Sequence, residues 1–226
     1  VGCGSVLKDL ITSSLFPLTR LEKIFRQKEG SDVITLAHEI NEENVTVLEQ
    51  GNDIAFFSCE NYEVKDILIP IVSNALEKGY SIKDIQVLAP MYGGVAGIDA
   101  LNNTLQKVLN PQDGYKDEIK VGYRVFRVGD KILQLKNQPD ENVYNGDIGE
   151  IIAIEYADEN ALSKNVILAD FDGNFVEYSG EQISNITHAY CISIHKAQGS
   201  EYPIVIMPVV KDYAFMLSKR LLYTGV

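Results

Sequence analysis

The segment from Ser193 to Glu201 is the part of the sequence best equipped for chemistry. It reads Ser-Ile-His-Lys-Ala-Gln-Gly-Ser-Glu, so seven of its nine positions are polar or glycine. It leaves one predicted strand, Ala189–Ser193, and leads to a second, Ile204–Val209. Because open α/β sheets bind their ligands in the loops at strand ends, this segment is the first candidate site.

The pair Arg26-Gln27 is a second candidate. It follows an amphipathic helical pattern carried by Leu18, Leu21, Ile24 and Phe25. The planar guanidinium of Arg26 suits phosphate oxygens. A surface ion pair with Glu22, one helical turn earlier, would also account for this arginine, and composition alone leaves both possibilities open.

Several common site motifs are absent from the sequence. It contains no G-x-x-x-x-G-K-[S/T] phosphate loop, no G-x-G-x-x-G dinucleotide fingerprint and no H-E-x-x-H pair. The histidines His38, His188 and His195 are widely scattered, so we expect no metal site in this chain. The cysteines form no C-x-x-C pair and indicate reduced thiols in a cytoplasmic protein.

The formal charge of −12 is unevenly distributed along the chain. Residues 138–185 contain eleven acidic side chains and a single basic one, Lys164. An acidic chain is in general a poor partner for nucleic acid. Five cations nevertheless lie within residues 120–136, with Asp130 as the only acid: Lys120, Arg124, Arg127, Lys131 and Lys136. They indicate either an edge strand that cations protect from pairing with another chain or a local groove that binds a polyanion.

Hydrophobic periodicity divides the chain into an α/β part and an all-β part. The α/β part has predicted helices at 33–40, 64–76, 98–108 and 213–222, and predicted strands at 53–58, 85–89, 189–193 and 204–209. The all-β part has predicted strands at 121–135, 148–156, 165–171 and 174–178. The pattern predicts a parallel sheet of about five strands flanked by helices, with a small antiparallel β insertion.

Five blocks of sequence, in chain order, resemble RecD-type DNA helicases of superfamily 1, the exodeoxyribonuclease V alpha-like family. Together they extend over nearly the whole chain. They are Ile24–Gln27 with Ala37–Asn41 (motif IV and its sequel), Pro90–Tyr92 with Leu101–Pro111, Phe126–Lys131 with Asn145–Gly149 (the β insertion), Ser193–Glu201 (motif V) and Tyr223–Val226 (the start of motif VI).

The resemblance implies a fold and a domain organisation. The α/β part would be a RecA-like motor domain (2A) over residues 1–114 and 187–226, and the β part an SH3-like barrel (2B) over residues 115–186. A first motor domain, with the phosphate loop and the Mg²⁺ ligands, would precede Val1, and the arginine of motif VI would follow Val226. The chain would then be a piece of a longer polypeptide, and we expect no ATP turnover from it alone.

The resemblance also implies an activity, that of an ATP-dependent helicase moving 5′ to 3′ on DNA with Mg²⁺ as the metal. Its partners would be single-stranded DNA, the first motor domain and other repair or recombination subunits in the cytoplasm. No membrane partner is expected, because the longest apolar stretch, Pro203–Val210, is far shorter than the ~20 residues that span a bilayer. The competing interpretation is a non-catalytic module that binds nucleic acid or protein, the latter through its acidic face.

Each candidate residue takes its expected role from the motif that it matches. Arg26 would be the catalytic residue at the γ-phosphate, and Gln27, Gly199 and Glu201 would complete the ATP contacts. The DNA contacts would come from three regions of the sequence: Met91, Tyr92 and Asn102; Arg127, Lys131 and Asn145; and Ser193, His195, Lys196 and Gln198.

In the complete protein, replacing Arg26 by alanine should abolish ATP hydrolysis while nucleotide binding largely survives. The reason is that an arginine in this place stabilises charge developing on the transferred phosphoryl group, an effect of about 10³–10⁵ in rate. Steady-state hydrolysis assays and nucleotide titrations measure the two quantities separately. Loss of binding with normal turnover per bound nucleotide would contradict the role assigned to Arg26.

Overall fold

The computed structural model describes residues 6–15, 17–19, 30–46, 51–157 and 164–226. Its helices are α1 (Val6–Ser13), α2 (Asp32–Glu42), α3 (Val64–Glu77), α4 (Ile98–Leu109), α5 (Ile194–Ala197) and α6 (Lys219–Gly225). Its strands are β1 (Ile85–Ala89), β2 (Glu118–Val121), β3 (Arg124–Arg127), β4 (Lys131–Gln134), β5 (Ile148–Glu155), β6 (Val166–Phe171), β7 (Asn174–Ser179), β8 (Ile186–His188), β9 (Cys191–Ser193) and β10 (Ile204–Ile206). Short 3₁₀ segments lie at Asn61–Glu63, Ile82–Asp84, Pro139–Glu141, Gly180–Asn185 and Lys211–Tyr213.

A parallel sheet with strand order β10-β1-β9 forms the centre of the α/β part. Every residue of β1 is buried, so both faces of this strand are covered. Alternate residues of β1 share a buried cluster with α3 and α4. On the other face, Leu88 shares a cluster with Leu133 of β4 and Ile194 of α5. The predicted class, a parallel sheet flanked by helices, is therefore confirmed.

The β part is an antiparallel sheet with strand order β7-β6-β5-β4-β8, and the β2-β3 hairpin packs against it. Ile119 and Phe126 of the hairpin share a buried core with Ile132, Ile151 and Ile167 of the sheet. The predicted antiparallel insertion is thus present, with a core of its own. The proposed domain boundaries at 115 and 186 stay a prediction.

The segment Asp53–Ser58, predicted as a buried strand, is not a strand. Phe56 and Phe57 are 56% and 48% exposed. Within the described residues the parallel sheet has three strands, where about five were expected. The apolar composition of this segment resembles that of a strand, but a strand also needs a neighbour whose backbone groups are free to pair with it. The helix predicted from the pattern at Leu18 to Phe25 lies mostly outside the described residues.

Other element boundaries also differ from the predicted ones. The strands predicted at 189–193 and 204–209 are shortened to Cys191–Ser193 and Ile204–Ile206. The stretch 121–135 is divided into β3 and β4, because Gly129 takes a φ of +88° and the backbone N–H of Arg127 donates to Asp130 Oδ2 at 2.7 Å in a tight turn. The last helix begins at Lys219 instead of residue 213. Its start is fixed by Ser218, whose hydroxyl accepts a hydrogen bond from Leu221 N at 3.3 Å.

Three buried side-chain amides lie four residues apart on α4 and at its end, at Asn102, Gln106 and Asn110. Asn102 holds β9 in place, since its Nδ2 donates to the Cys191 carbonyl at 2.8 Å and Cys191 N donates to its Oδ1 at 2.9 Å. Because β9 is an outer strand of the parallel sheet, these bonds satisfy backbone groups that do not face β1. The structure therefore gives Asn102 a structural role instead of the predicted DNA contact.

Replacing Asn102 by alanine should lower the free energy of unfolding by about 2–4 kcal/mol, because two buried backbone groups lose their partners. Asn103 is exposed on the same helix and offers a matched control. Replacing it by alanine should change stability by less than about 0.5 kcal/mol. Urea unfolding of the three proteins measures both effects, and equal losses would show that the amide of Asn102 does not stabilise β9.

Candidate nucleic-acid interface

The carboxyl ends of β1 and β9 lie side by side, with Ala89 in register with Ser193. The chain leaves β1 into the loop of residues 90–97 and leaves β9 into α5. Two of the segments predicted to bind DNA therefore meet at one edge of the sheet, the edge where parallel α/β sheets bind ligands. This edge, formed by residues 90–97 and 193–198, is termed the carboxyl edge below.

The loop after β1 is held in one shape by its own backbone. Ile98 N donates to the Met91 carbonyl at 2.9 Å, and Asp99 N donates to the Tyr92 carbonyl at 3.2 Å. A Cβ on Gly97 would stand 2.1 Å from the Gly93 carbonyl oxygen, so only glycine fits there. Met91 packs against the buried cluster of α3, α4 and β1, whereas Tyr92 is 52% exposed. Of these two predicted DNA contacts, the structure exposes the tyrosine.

Helix α5 exposes its polar residues and buries its apolar ones. Ile194 and Ala197 lie in the buried cluster that also contains Leu133 of the β insertion. His195 and Gln198 are exposed. The hydroxyl of Ser193 accepts a hydrogen bond from Lys196 N at 3.3 Å and caps this one-turn helix. Three predicted DNA-binding residues, Ser193, His195 and Gln198, thus lie on the carboxyl edge together with Lys196.

Lys196 connects the carboxyl edge to the β insertion, because its Nζ donates to Oδ1 of Asn145. The turn that carries Asn145 is fixed on β4. Asn145 N donates to Asn137 Oδ1 at 2.9 Å, and Gly146 N donates to the Gln134 carbonyl at 2.9 Å. Two predicted DNA-binding residues, 51 positions apart in sequence, therefore lie in contact and form one polar surface.

The predicted ATP-binding residues are only partly within the described chain. Arg26 and Gln27 lie outside the described residues. Gly199 takes a φ of +90°, which favours glycine, and the space where a Cβ would stand is open. The turn is closed by Ser200 N, which donates to the Ala197 carbonyl at 2.9 Å. Glu201 follows with an exposed side chain.

Arg127 is a structural cation of the β2-β3 hairpin. It lies in register with Glu118 across the hairpin, and its Nη2 is 2.8 Å from Glu118 Oε2. Its Nη1 donates to the Asn110 carbonyl at 2.6 Å, and its side chain is only 10% exposed. Since the guanidinium is already paired and nearly buried, the structure does not support the predicted role of Arg127 in guiding a DNA strand.

Lys131 is also buried, at 4% exposure. Its Nζ donates to the Ile85 carbonyl at 3.1 Å and to Gln86 Oε1 at 3.0 Å, and it lies 5.3 Å from the centre of the Tyr202 ring. Burial lowers the pKa of Lys131 to about 8, although the nearby carboxylate of Asp84 opposes this shift. Lys131 therefore ties β4 to β1 instead of meeting DNA.

Asp130 is the residue that sequence reasoning missed. It is 0% exposed and accepts four hydrogen bonds, from Gln106 Nε2 (2.7 Å), Asn110 Nδ2 (2.8 Å), Arg127 N (2.7 Å) and Tyr190 Oη (2.8 Å). The Nε2 of His188 lies 3.2 Å away. Burial and the Asp130 carboxylate raise the pKa of the Tyr190 hydroxyl. The amides spaced four residues apart on α4 are the sequence signal that indicates such a buried acceptor.

Among the residues that the structure describes, no group of three or more His, Cys, Asp or Glu side chains is arranged to hold a metal ion. No helix formed by the same residues has the length and apolar character required to cross a bilayer.

Comparison with protein families finds a match in each of the two parts of the chain. Residues 101–168 match the SH3 domain of ATP-dependent RecD-like DNA helicases, and residues 188–226 match the UvrD-like helicase C-terminal domain. Both matched regions thus correspond to domains found in DNA helicases. These matches confirm the predicted resemblance to RecD-like helicases.

Individual relatives agree with these matches. The chain is 35% identical over 141 residues to the ATP-dependent RecD2 DNA helicase of Deinococcus radiodurans, which covers 62% of this chain and 18% of the relative. It is 24% identical over 226 residues to the RecBCD enzyme subunit RecD of Buchnera aphidicola, covering 91% of this chain and 36% of the relative. The chain thus spans about a fifth to about a third of the length of these curated relatives.

Solved structures support the fold. The Bacteroides Pif1 helicase in complex with ADP-AlF3 and single-stranded DNA superposes with a TM-score of 0.52 and 18% identity, covering 90% of this chain and 47% of that one. A structure of two coordinating Pif1 helicases at forked double-stranded DNA gives a TM-score of 0.52 and 19% identity, covering 90% and 45%. At such low sequence identities, the similarity shows the fold alone.

Replacing Lys131 by methionine should change how stability depends on pH. The folded-state pKa of about 8 lies below the ordinary value of 10.5. Between these two values the unfolded chain therefore binds more protons at Lys131 than the folded chain does. The contribution of Lys131 to the free energy of unfolding should then rise with pH, by up to about 1.4 kcal/mol per pH unit.

The measurement is the difference in free energy of unfolding between the wild type and the Lys131→Met variant, from urea titrations between pH 8 and about 9.5. Taking this difference removes the effects of the tyrosines and cysteines that both proteins share. Lys83, with a side chain 67% exposed, is the control, and its methionine variant should give a flat difference. A flat difference for Lys131 would contradict a buried ammonium group.

Proposed function

We propose that this chain supplies part of the single-stranded DNA track and one wall of the ATP cleft in an ATP-dependent DNA helicase that moves 5′ to 3′. The observation that carries the proposal is the contact between Lys196 and Asn145. The two residues lie in the two separate family matches, to a helicase C-terminal domain and to a RecD-like SH3 domain. Their contact makes one polar surface from both.

The chemistry of the carboxyl edge supports a strand that is held and then released. Its donors are a single ammonium group, on Lys196, and the side chains of His195 and Gln198, and the amide of Asn145 in the β insertion contacts Lys196. Every phosphate that a fixed cation neutralises adds salt-dependent affinity, so an edge with one cation would bind loosely. Tyr92, 52% exposed beside this edge, could stack on a base, a contact worth about 1–3 kcal/mol.

Gly199 and Glu201 support the ATP side of the proposal. The open space beside the Gly199 backbone allows close approach by a ligand, and the exposed carboxylate of Glu201 suits ribose hydroxyls. Together with Arg26 and Gln27 they would hold ATP, and hydrolysis of this ATP would drive movement along DNA. The Mg²⁺ ligands would belong to the first motor domain of the complete protein.

The names of the relatives support the remaining proposals. RecD is named as a subunit of the RecBCD enzyme in Buchnera aphidicola, so we propose that the complete protein has repair or recombination partners as well as DNA. Reduced cysteines and the absence of a long apolar stretch from the sequence favour a cytoplasmic location. A binding module without catalytic activity is the alternative that the following experiment distinguishes.

Replacing Lys196 by glutamate should weaken binding of oligothymidylate, because it removes the only cation of the carboxyl edge and adds repulsion. The slope of log affinity against log salt should also fall, by about 0.7 for the one lost phosphate contact. Fluorescence anisotropy at several low salt concentrations measures both quantities.

The matched control is Lys78→Glu. Lys78 is exposed directly after α3, and the chain then leads to the start of β1, at the opposite end of the sheet from the carboxyl edge. The control carries the same change in net charge and should keep the wild-type salt slope. Equal loss of affinity in both variants would show that the change in net charge alone explains the effect. Unchanged affinity in Lys196→Glu would favour the binding module over the helicase track.

A further inference from the structure

The strands β5, β6 and β7 are acidic and contain no cation, and the nearby Lys83 lies 3.9 Å from Glu150 at one end of this surface. These strands contain Glu150, Glu155, Asp170 and Glu177 and no Lys, Arg or His. This local composition reflects that of the segment 138–185, which contains eleven acidic residues and one basic residue. Such a surface repels nucleic acid and attracts basic groups.

The four acids share the outer face of the sheet. Ile151, Ala169 and Val176 are 0% exposed and point into the core, so their neighbours along each strand point outward. The strand registers place the outward residues in three rows: Glu150, Asp170 and Phe175; Ala153, Leu168 and Glu177; and Glu155, Val166 and Ser179. Acids therefore surround an apolar centre, next to which Phe175 is 61% exposed.

The strand β7 ends this sheet with an open side. Within the described residues it pairs with β6 alone, over six consecutive positions without a bulge. Edge strands are commonly protected by lysine, proline or a bulge, and β7, with the sequence Asn-Phe-Val-Glu-Tyr-Ser, has none of them. Alternate N–H and C=O groups of β7 therefore face outward and are arranged to pair with another strand.

We propose that β7 binds an extended segment of another protein in which basic and apolar residues alternate, added to the sheet as a further strand. Main-chain hydrogen bonds to β7 would provide the pairing, as in other cases of strand addition. Residues of the added strand that point outward would lie next to Phe175 and Glu177, which favours basic side chains. Those that point inward would continue the apolar inner face of the sheet, to which the buried side chains of Val176 and Tyr178 belong, and this position favours apolar side chains.

This proposal goes beyond the helicase function and does not depend on it. It uses no residue of the carboxyl edge, and its partner has the opposite charge to DNA. A variant that impairs the DNA track should therefore leave the new interaction intact. In particular, Lys196→Glu should bind the peptide described below with an affinity within about twofold of the wild type.

The probe is a fluorescein-labelled peptide of alternating lysine and valine, about seven residues long, the length of a typical strand. Anisotropy at low salt with the 226-residue chain measures its affinity. Glu177→Lys should weaken binding about tenfold, because attraction is replaced by repulsion. Phe175→Ser, which leaves the charge unchanged, should weaken it about threefold. Both residues are exposed, so neither change should disturb the fold.

The control is Glu77→Lys, an equal charge change at an exposed position of α3, which should keep the affinity within about twofold. Equal weakening by Glu77→Lys and Glu177→Lys would overturn the proposal, since general charge attraction would then explain the binding. Failure of the wild-type chain to bind the peptide, or equal binding of a peptide with glutamate in place of lysine, would also overturn it.

Backbone pairing is tested with two N-methylated versions of the same peptide. Methyl groups on one alternate set of amides block the donors of one strand edge, and methyl groups on the other set block the opposite edge. A strand added to β7 uses one edge only, so one version should lose binding while the other keeps it. Equal affinities for the two versions would exclude strand addition and overturn the proposal.

Discussion

One buried carboxylate connects the two parts of the molecule. Asp130 is fully removed from solvent and accepts hydrogen bonds from α4, from the β3-β4 turn and from Tyr190 just before β9. A carboxylate in such a place is costly unless its oxygens are satisfied, and loss of one partner of a buried charge typically costs about 3–5 kcal/mol. The three elements therefore have to take up their positions together.

This constraint explains how a candidate interface arises from distant segments. Asp130 fixes the start of β4, and Lys131 next to it anchors the strand to Ile85 and Gln86 of β1. The far end of β4 carries Gln134, whose carbonyl holds the turn that presents Asn145. Asn145 is thereby brought to Lys196 at the carboxyl edge. The polar contact at the surface thus depends on ionic and amide contacts in the interior.

Periodic segments were predictable from the sequence, whereas tertiary partners were not. The strand Ile85–Ala89 has the predicted bounds, because a short apolar run between turn signals has few alternatives. Arg127 and Lys131 were expected to meet DNA, since charge counting cannot show that Glu118 and Gln86 occupy them. Lys131 shares its strand face with Leu133, which packs on Leu88 of β1. This alternation along β4 was the sequence signal that Lys131 is buried. The motifs located the carboxyl edge, but its contact with Asn145 required the fold.

The chain passes twice between the parallel sheet and the β insertion, once after α4 and once between β8 and β9. Both passages lie beside the same carboxylate, because Asn110 and Tyr190 each donate to Asp130. The insertion is therefore attached to the parallel sheet at two points that lie close together. A force applied to one part would act on both attachments at once. The insertion should therefore be hard to separate from the parallel sheet and should transmit force to it as a rigid unit.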